Sequence, residues 1–327
     1  METLQVEAPL TDEKKKTLMR SMLLLRHCEL TIQEGFLAGK VPGFCHVYVG
    51  EEATGVGVCQ ALNRDDYIVS THRGHGHCLA KGADPKKLIA ELYGKKTGYC
   101  QGRGGSMHIF AKELGILGTN GIVGGGLPLS LGAGMHAKLR KTGQVSVCFF
   151  GDGASNEGTF HESLNIAAVQ HLPVLFVCEN NLYGTATRVD KATLTKNFAD
   201  RAAPYGMPGV IADGNDVVDV YKKAVVAVQR ARAGEGPTLL ECKTYRHGGH
   251  YVGEVSSYRP PEEVEAWHKR DPIKLFKQRL LDEGVMDEAA FGQMEQEIKA
   301  QVAAAEKFAI ESPLPDGSEV LEHVFCD

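Results

Sequence analysis

The spacing of apolar and polar residues predicts a chain in which helices alternate with short strands. Apolar side chains recur near helical spacing from position 18 to position 30, which predicts a helix over residues 12–39. The apolar run Tyr67 to Thr71 predicts a short buried strand. Pro85 begins another helix, and Gly94 ends it, as expected from the usual places of proline and glycine at helix ends.

The clearest pattern is a strand–turn–helix–strand unit in the middle of the chain. Val145 to Phe150 is an unbroken apolar run typical of a buried strand, and Gly151 to Gly153 forms a tight turn after it. Residues 156–170 carry apolar side chains on one helical face. A second apolar strand, Pro173 to Cys178, leads directly into the polar residues 179–181. Such a unit is typical of parallel sheets.

The rest of the pattern extends the same architecture. A helix capped by Asn215 or Asp216 precedes a strand over Thr238 to Thr244, and the tail from about Glu262 is mostly helical. Strands that alternate with helices imply an α/β fold with a mostly parallel sheet covered by helices on both faces. No repeat or change of composition marks a boundary, so we expect one domain over residues 1–327 with helical extensions at both ends.

Composition and charge exclude several classes of function. The formal net charge of −5 offers no basic field for nucleic acid or an anionic membrane. The 327 residues contain nine cysteines without paired spacing, which argues against a disulfide framework and for a reducing compartment. The first 17 residues resemble neither a secretory signal nor an arginine-rich transit peptide. We therefore expect a cytoplasmic protein, or a mature organellar protein whose leader is absent.

Asp152 and Asn181 follow the two strands of the central unit and are predicted to lie side by side. They are 29 residues apart, from 181 − 152. A helix of about 14 residues travels ~21 Å back along a sheet, and a six-residue strand returns ~20 Å. Both residues then reach the carboxyl edge of neighbouring parallel strands, where open α/β sheets bind ligands. Carboxylate and amide oxygens are ligands that Mg2+ prefers, and the flanking glycines allow close approach of a diphosphate.

The turn alone is weak evidence, because Asp152 could cap a sharp turn in any α/β protein. The sequence GDG followed about 30 residues later by NN resembles the signature of thiamine-diphosphate enzymes. The text from Gly151 to Gly184 is similar to alpha subunits of the pyruvate and acetoin dehydrogenase family, and the likeness runs from about Leu23 to Arg259. It implies the three-layer thiamine-diphosphate-binding fold.

The resemblance also implies which residues hold the cofactor. Mg2+ would be bound by Asp152, Asn181 and the backbone oxygen of Tyr183, whereas Gly153 and Ala154 would touch the diphosphate. Two glycine-rich segments, GRGGSMHI and NGIVGG, match cofactor-lining segments of the family. The cofactor contacts that they carry over are Ala111, Gly121 and Val123.

Histidine-rich segments supply the other expected contacts. The resemblance places His46 and the pair His72 and Arg73 at the cofactor, and a guanidinium after a strand is suited to binding diphosphate oxygens. His250, in a loop after the last strand, is expected to handle protons, because a histidine near neutral pKa can do so. His75 is the second catalytic candidate, as a substrate contact. Each of these side chains could instead be a solvated loop histidine or, for Arg73, part of a surface ion pair.

The family chemistry implies the reaction and the partners. Thiamine diphosphate supplies a carbon nucleophile that attacks a carbonyl and stores the resulting electrons. Acetoin would yield acetaldehyde and a two-carbon hydroxyethyl unit, which is oxidised and passed to a lipoyl-bearing acyltransferase. The expected assembly is an α2β2 heterotetramer, in which a beta subunit completes a site that this chain alone cannot operate. Three segments favour acetoin over pyruvate or a branched 2-oxo acid: STHRGHGHC, GHYVGE and ESPLPDGSEVLEHVF.

Three other interpretations remain open. The segment GILGTNGIVGGG has loose dinucleotide-binding spacing, but it does not follow a convincing strand. A scaffolding homologue should have lost the metal ligands or the loop histidine, and all are present. A zinc site is also possible, although structural zinc sites usually draw ligands from two separated pairs. Its ligands would be His72, His75, His77 and Cys78.

Overall fold

The central element of the fold is a five-stranded parallel sheet. A computed structural model of the chain describes residues 10–322. The order of the strands in the sheet is β1-β2-β3-β7-β6, and every neighbouring pair is parallel. The strands are β1 (Tyr67–Val69), β2 (Ser146–Gly151), β3 (Val174–Asn180), β6 (Gly209–Asp213) and β7 (Thr238–Lys243), and two short strands, β4 (Tyr183–Gly184) and β5 (Thr187–Arg188), form a separate antiparallel pair.

Helices cover both faces of this sheet. They are α1 (Asp12–Leu37), α2 (Glu52–Cys59), α3 (His75–Ala80), α4 (Pro85–Leu92), α5 (Gly126–Arg140), α6 (Gly158–Val169), α7 (Val189–Ala192), α8 (Val217–Arg232), α9 (Pro261–Lys269), α10 (Pro272–Asp282) and α11 (Glu288–Glu311). Among residues 10–322, no helix is both long enough and apolar enough to cross a membrane. Short 3-10 turns over Lys112–Leu114, Asp152–Asn156, Phe198–Tyr205 and Gly317–Leu321 complete the regular structure.

The alternation of side chains along β2 and β3 separates two hydrophobic cores. Phe149 and Val177 point to one face, where they join a core formed with α1, α2, α4, α8, α10 and α11. Phe150 and Phe176 point to the opposite face, where they pack with α5, α6 and the turn at Phe198. Successive side chains of a strand face opposite sides, so unbroken apolar runs fit a sheet that is buried on both faces. The predicted three-layer α/β fold is confirmed.

Local signals set the ends of most predicted helices. The Thr11 side chain accepts the Lys14 N–H at the start of α1, and Asp216 caps α8 through the N–H groups of Val218 and Asp219. Asp216 is therefore the cap, and Asn215 instead binds Thr244 and the backbone of Arg270.

Several parts of the fold were not predicted from the pattern, among them β6 and the short helix α3. β6 is an edge strand with mostly half-exposed or exposed side chains, so it lacks the apolar run of a buried strand. The segment after β1 was expected to be a loop, but His75–Ala80 forms a short helix whose side chains are all buried. The sheet order nevertheless brings the carboxyl ends of β1, β2, β3 and β7 to one edge.

Candidate functional site

A cavity of about 260 Å3 lies at the carboxyl edge of the sheet. It is lined by the segments that follow β1, β2, β3 and β7, and by one glycine-rich loop. This is the edge at which open parallel sheets bind ligands. The lining includes most of the predicted cofactor contacts, namely His72, Arg73, Val123, Asp152, Gly153, Ala154, Asn181, Tyr183 and His250.

Asp152 places a buried carboxylate in this cavity. Burial raises the pKa of Asp152 to about 6, although the charge of Arg246 and the N–H groups of Asp152, Gly153 and Asn181 oppose that shift. Among residues 10–322, no lysine, arginine or histidine forms a salt bridge with Asp152. A buried carboxylate without a paired cation is suited to binding a metal ion.

Asn181 and Tyr183 bring two further oxygen groups to the cavity. Asn181 donates its Nδ2 hydrogen to Glu51 Oε1 at 3.0 Å, which fixes the amide and leaves Oδ1 as the acceptor end. The chain then turns through Leu182, whose φ of 72° is left-handed. The backbone at Gly153 is not crowded, because the nearest atom to a Cβ added there would be Gly184 Cα, 3.4 Å away. A carboxylate, an amide oxygen and a carbonyl form a hard donor set that fits Mg2+.

Two buried guanidinium groups face the same cavity. Arg73 donates from Nη1 to Val47 O at 2.6 Å and from Nη2 to His250 O at 3.0 Å. Burial, with the charge of Arg246, lowers the pKa of Arg73 to about 10. Arg246 donates from Nη2 to Thr185 O at 3.0 Å, and its buried Nε has no hydrogen-bond partner among the described residues. Guanidinium groups with unused donors are suited to binding a diphosphate.

Arg246 was missed in the sequence analysis, although a signal for it existed. It follows the end of β7 by three residues, as Arg73 follows the end of β1 by four. The same reasoning that placed Arg73 at the sheet edge applies to Arg246.

Glu51 and Glu179 are two further cavity residues that were missed. Glu51 Oε2 has no hydrogen-bond partner among the described residues, and the nearest guanidinium nitrogen, Arg73 Nε, lies 3.7 Å away. Burial and the neighbouring Glu179 carboxylate raise the pKa of Glu51 to about 8. Glu179 Oε1 accepts from Tyr48 Oη and lies 2.9 Å from His77 Nε2. Burial thus destabilises the ionised form of Glu51, which lies beside the expected metal ligand Asn181.

Three histidines gather at the cavity and form the histidine trio, His46, His72 and His250. The ring centroids are 4.6 Å apart for His46 and His72, 4.9 Å for His46 and His250, and 5.3 Å for His72 and His250. His46 Nδ1 lies 2.7 Å from His250 O. The trio unites residues from three distant segments. His46 packs against His72 and His250 beside the cavity, but it does not line the cavity.

His75, the second catalytic candidate, lies away from the cavity. Its ring is fully buried, with Nδ1 3.1 Å from Glu29 Oε2 and Nε2 2.9 Å from Ser106 Oγ. Both ring nitrogens are occupied inside the core, because helix α3 turns this side chain toward α1. His75 thus supports the segment that carries Ser106, and the structure does not bring it to the cavity as a substrate contact.

Two other predicted contacts also stay outside the lining. Ala111 is buried in the larger core, and it exchanges backbone hydrogen bonds with Ile116. Gly121 lies between two lining residues, Asn120 and Ile122, but does not line the cavity itself. Of the three contacts carried over from the glycine-rich segments, the structure brings only Val123 to the cavity.

The four residues of the alternative zinc interpretation do not gather. His75 faces Glu29, His77 faces Glu179 and Ser70, and the Cys78 thiol is buried in the core. Only His72 of this set lines the cavity. The helical geometry of residues 75–80 points these side chains in different directions, so the zinc interpretation of this segment is wrong.

Known proteins match almost the whole chain. The family model described as dehydrogenase E1 component matches residues 19–317. The alpha subunit of acetoin:2,6-dichlorophenolindophenol oxidoreductase from Bacillus subtilis (strain 168) is 50% identical over 317 residues, covering 97% of this chain and 95% of that protein. The subunit of the same name from Cupriavidus necator is 45% identical, covering 97% and 96%. A chloroplastic pyruvate dehydrogenase E1 component subunit alpha-3 from Arabidopsis thaliana is 41% identical, covering 97% and 76%.

Proposed function

We propose that this chain, which belongs to the dehydrogenase E1 component family, is the alpha subunit of a thiamine-diphosphate-dependent acetoin dehydrogenase. The observation that carries the proposal is the cavity at the sheet edge, where the Asp152 carboxylate and two buried guanidinium groups converge. The alpha-subunit names of the acetoin-oxidising relatives support the choice of substrate.

The residues of the cavity fit both parts of the cofactor's anionic end. Asp152, Asn181 and the Tyr183 carbonyl would hold Mg2+, and Arg73, Arg246 and the backbone at Gly153 and Ala154 would hold the diphosphate. When bound, thiamine diphosphate supplies a carbon nucleophile and a store for electrons. We retain the single-domain interpretation and the cytoplasmic location as expectations.

The chain's own residues would hold and move protons around the bound substrate. His250 lines the cavity with one ring nitrogen beside Arg246 Nη1, at 3.3 Å, so its other nitrogen is free to donate. Glu51, whose raised pKa favours its protonated form, would add a second proton donor at the metal side of the cavity. These groups could donate hydrogen bonds to a substrate oxygen that gains negative charge during cleavage.

The overall reaction requires an electron acceptor and a partner. Acetoin and water give acetaldehyde and acetic acid, with two electrons and two protons passed to a dye. In the assembled complex, the lipoyl disulfide of an acyltransferase would take both electrons and the acetyl group. We expect a beta subunit in an α2β2 assembly to complete the site, and we expect this chain alone to be inactive.

A dye-reduction assay tests this proposal. The chain would be co-purified with a candidate beta subunit and supplied with thiamine diphosphate, Mg2+ and 2,6-dichlorophenolindophenol. Acetoin, pyruvate and a branched 2-oxo acid would be compared at matched concentrations. We expect reduction with acetoin, which Asp152→Ala abolishes and the exposed control Asp65→Ala preserves.

Pyruvate is the second candidate substrate, because a pyruvate dehydrogenase alpha subunit is 41% identical to this chain. Strong reduction with pyruvate and none with acetoin would retain the cofactor site and overturn the choice of substrate. Turnover by the purified chain without any beta subunit would contradict the shared site.

A further inference from the structure

The histidine trio has the geometry of a cation site that is separate from the oxygen ligands of Mg2+. One ligand atom from each ring can be chosen so that all three lie within 4.8 Å of one another. We propose that His46, His72 and His250 bind a borderline divalent cation such as Zn2+, and that this cation closes the cavity to substrate. The cation site stands on its own geometry, and only its effect on turnover rests on the proposed function.

Small ring rotations would complete the coordination geometry. Zinc–nitrogen bonds of about 2.0–2.1 Å at tetrahedral angles place ligand nitrogens ~3.4 Å apart. The observed separations are at most 4.8 Å, so each nitrogen needs to move by roughly 1 Å. Three protein ligands leave the fourth position of a tetrahedral ion open. His72 and His250 both line the cavity, so a cation held by the trio would lie at the cavity wall.

Two of the rings have a nitrogen available to bind a cation. His46 Nδ1 lies 2.7 Å from the His250 carbonyl and donates to it, which leaves the Nε2 lone pair free. A ligand histidine usually donates its other ring hydrogen in this way. His72 Nε2 is buried and has no hydrogen-bond partner among the described residues. Buried polar atoms without partners are uncommon, and a cation would satisfy this one.

The third ring and the nearby charges determine how tightly a cation binds. His250 Nδ1 lies 3.3 Å from Arg246 Nη1. A cation would either replace this long contact by binding Nδ1, or bind the other ring nitrogen, Nε2. Burial and the Arg73 charge hold the pKa of His46 and His250 well below the ordinary range, so both rings are neutral. The two guanidinium groups oppose a cation, whereas an anion bound between them would offset that repulsion.

The donor type separates this site from the Mg2+ site. Imidazole nitrogens favour zinc, cobalt, nickel and copper, whereas carboxylate and carbonyl oxygens favour magnesium. An excess of Mg2+ should therefore occupy Asp152 and its neighbours and leave the trio available to Co2+.

Cobalt is the direct probe of the proposal, because Co2+ bound by histidines in a tetrahedral site absorbs visible light. The full-length chain with its beta subunit would be titrated with Co2+ in excess Mg2+. We expect one equivalent of Co2+ to give a visible band that added Zn2+ removes. His72→Phe should weaken Co2+ binding at least about 10-fold, because loss of a ligand should cost no less than loss of an outer-shell partner. The matched control, His136→Phe, replaces an exposed histidine and should bind like the wild type.

Inhibition provides the second readout. Zn2+ should stop acetoin-dependent dye reduction by the wild-type complex reversibly, and a chelator should restore it. Thermal unfolding checks that each variant is folded, and His46→Gln replaces His72→Phe if the latter does not fold. A wild-type protein without a cobalt band, or a band that survives in both ligand variants, would overturn the cation site. A normal band without inhibition would overturn the closure of the cavity.

Discussion

Replacing Asp152 by asparagine should make the cofactor-free protein more stable at alkaline pH relative to the wild type. Burial raises the pKa of Asp152 from an ordinary 3.8 to about 6. Since a tenfold change in an equilibrium corresponds to about 1.4 kcal/mol, the ionised carboxylate costs the folded state ~3 kcal/mol at high pH. The stabilising contribution of a raised pKa is complete below pH 3.8 and is lost as the pH rises through 6.

Asparagine removes this charge but adds a constant cost. Its amide hydrogens face the backbone N–H groups that now point at the carboxylate, which costs about 1–3 kcal/mol at any pH. The free energy of unfolding of Asp152→Asn minus that of the wild type should therefore rise by ~2 kcal/mol from pH 4.5 to pH 8.

Urea unfolding of the chelator-treated protein at several pH values measures this difference. The exposed control Asp65→Asn should show no such rise. Adding thiamine diphosphate and Mg2+ should reverse the order, because a ligand at 100 times its Kd stabilises the wild type by about 2.7 kcal/mol and the variant hardly binds it. A difference that stays constant with pH, or falls toward pH 8, would refute the claim that Asp152 is buried without a compensating cation.

Four further substitutions test other parts of the structure. Arg246→Met should raise the Kd for thiamine diphosphate about 10- to 100-fold. The fluorescence of Trp267, the single tryptophan, measures this Kd, because its ring stacks on Tyr245 next to Arg246. An unchanged Kd would show that Arg246 does not bind the cofactor. Gly76→Ala should lower the free energy of unfolding by about 1–3 kcal/mol, because the added Cβ would lie 2.2 Å from Tyr48. The control Gly132→Ala should raise it by up to about 1 kcal/mol, because no atom lies within 4 Å of the added Cβ. Equal changes in urea unfolding would contradict this contrast. Glu91→Gln should lower the free energy of unfolding by about 2–4 kcal/mol, because the buried carboxylate accepts four backbone N–H groups of the loop over residues 100–105. An unchanged free energy of unfolding in urea would show that this loop does not depend on Glu91.

The sequence predicted the parts of the site that local geometry determines. Asp152 and Asn181 belong to one strand–helix–strand unit, so the lengths of its elements were enough to bring both to the cavity. Arg73 needed only the additional knowledge that β1 lies in the same parallel sheet. The resemblance supplied the rest of the predicted contacts.

The residues that were missed or misplaced depend on packing between distant segments. Glu51 reaches the cavity because α2 packs on α8, a contact that no local pattern indicates. His75 points into the core because α3 forms where a loop was expected, and the sequence alone does not decide which ring of a histidine-rich segment faces inward. The final residues of the C-terminal motif used to favour acetoin, 323–325, lie outside the described residues.

The electrostatics of the cavity explain why it is suited to a metal ion and a diphosphate together. Burial raises the pKa of the acid Asp152 and lowers the pKa of the base Arg73, so the charged form of each is destabilised although both face one cavity. Direct pairing of Arg73 with Asp152 would have stabilised both charges. Arg73 instead donates to two backbone carbonyls and lies 3.7 Å from Glu51 Oε2, and Asp152 forms no salt bridge among residues 10–322. A cation bound at Asp152 and an anion bound at Arg73 would reverse both shifts at once. A metal diphosphate carries those two charges in one ligand, which is why the unpaired arrangement of these residues favours that ligand over a simple anion or a simple cation.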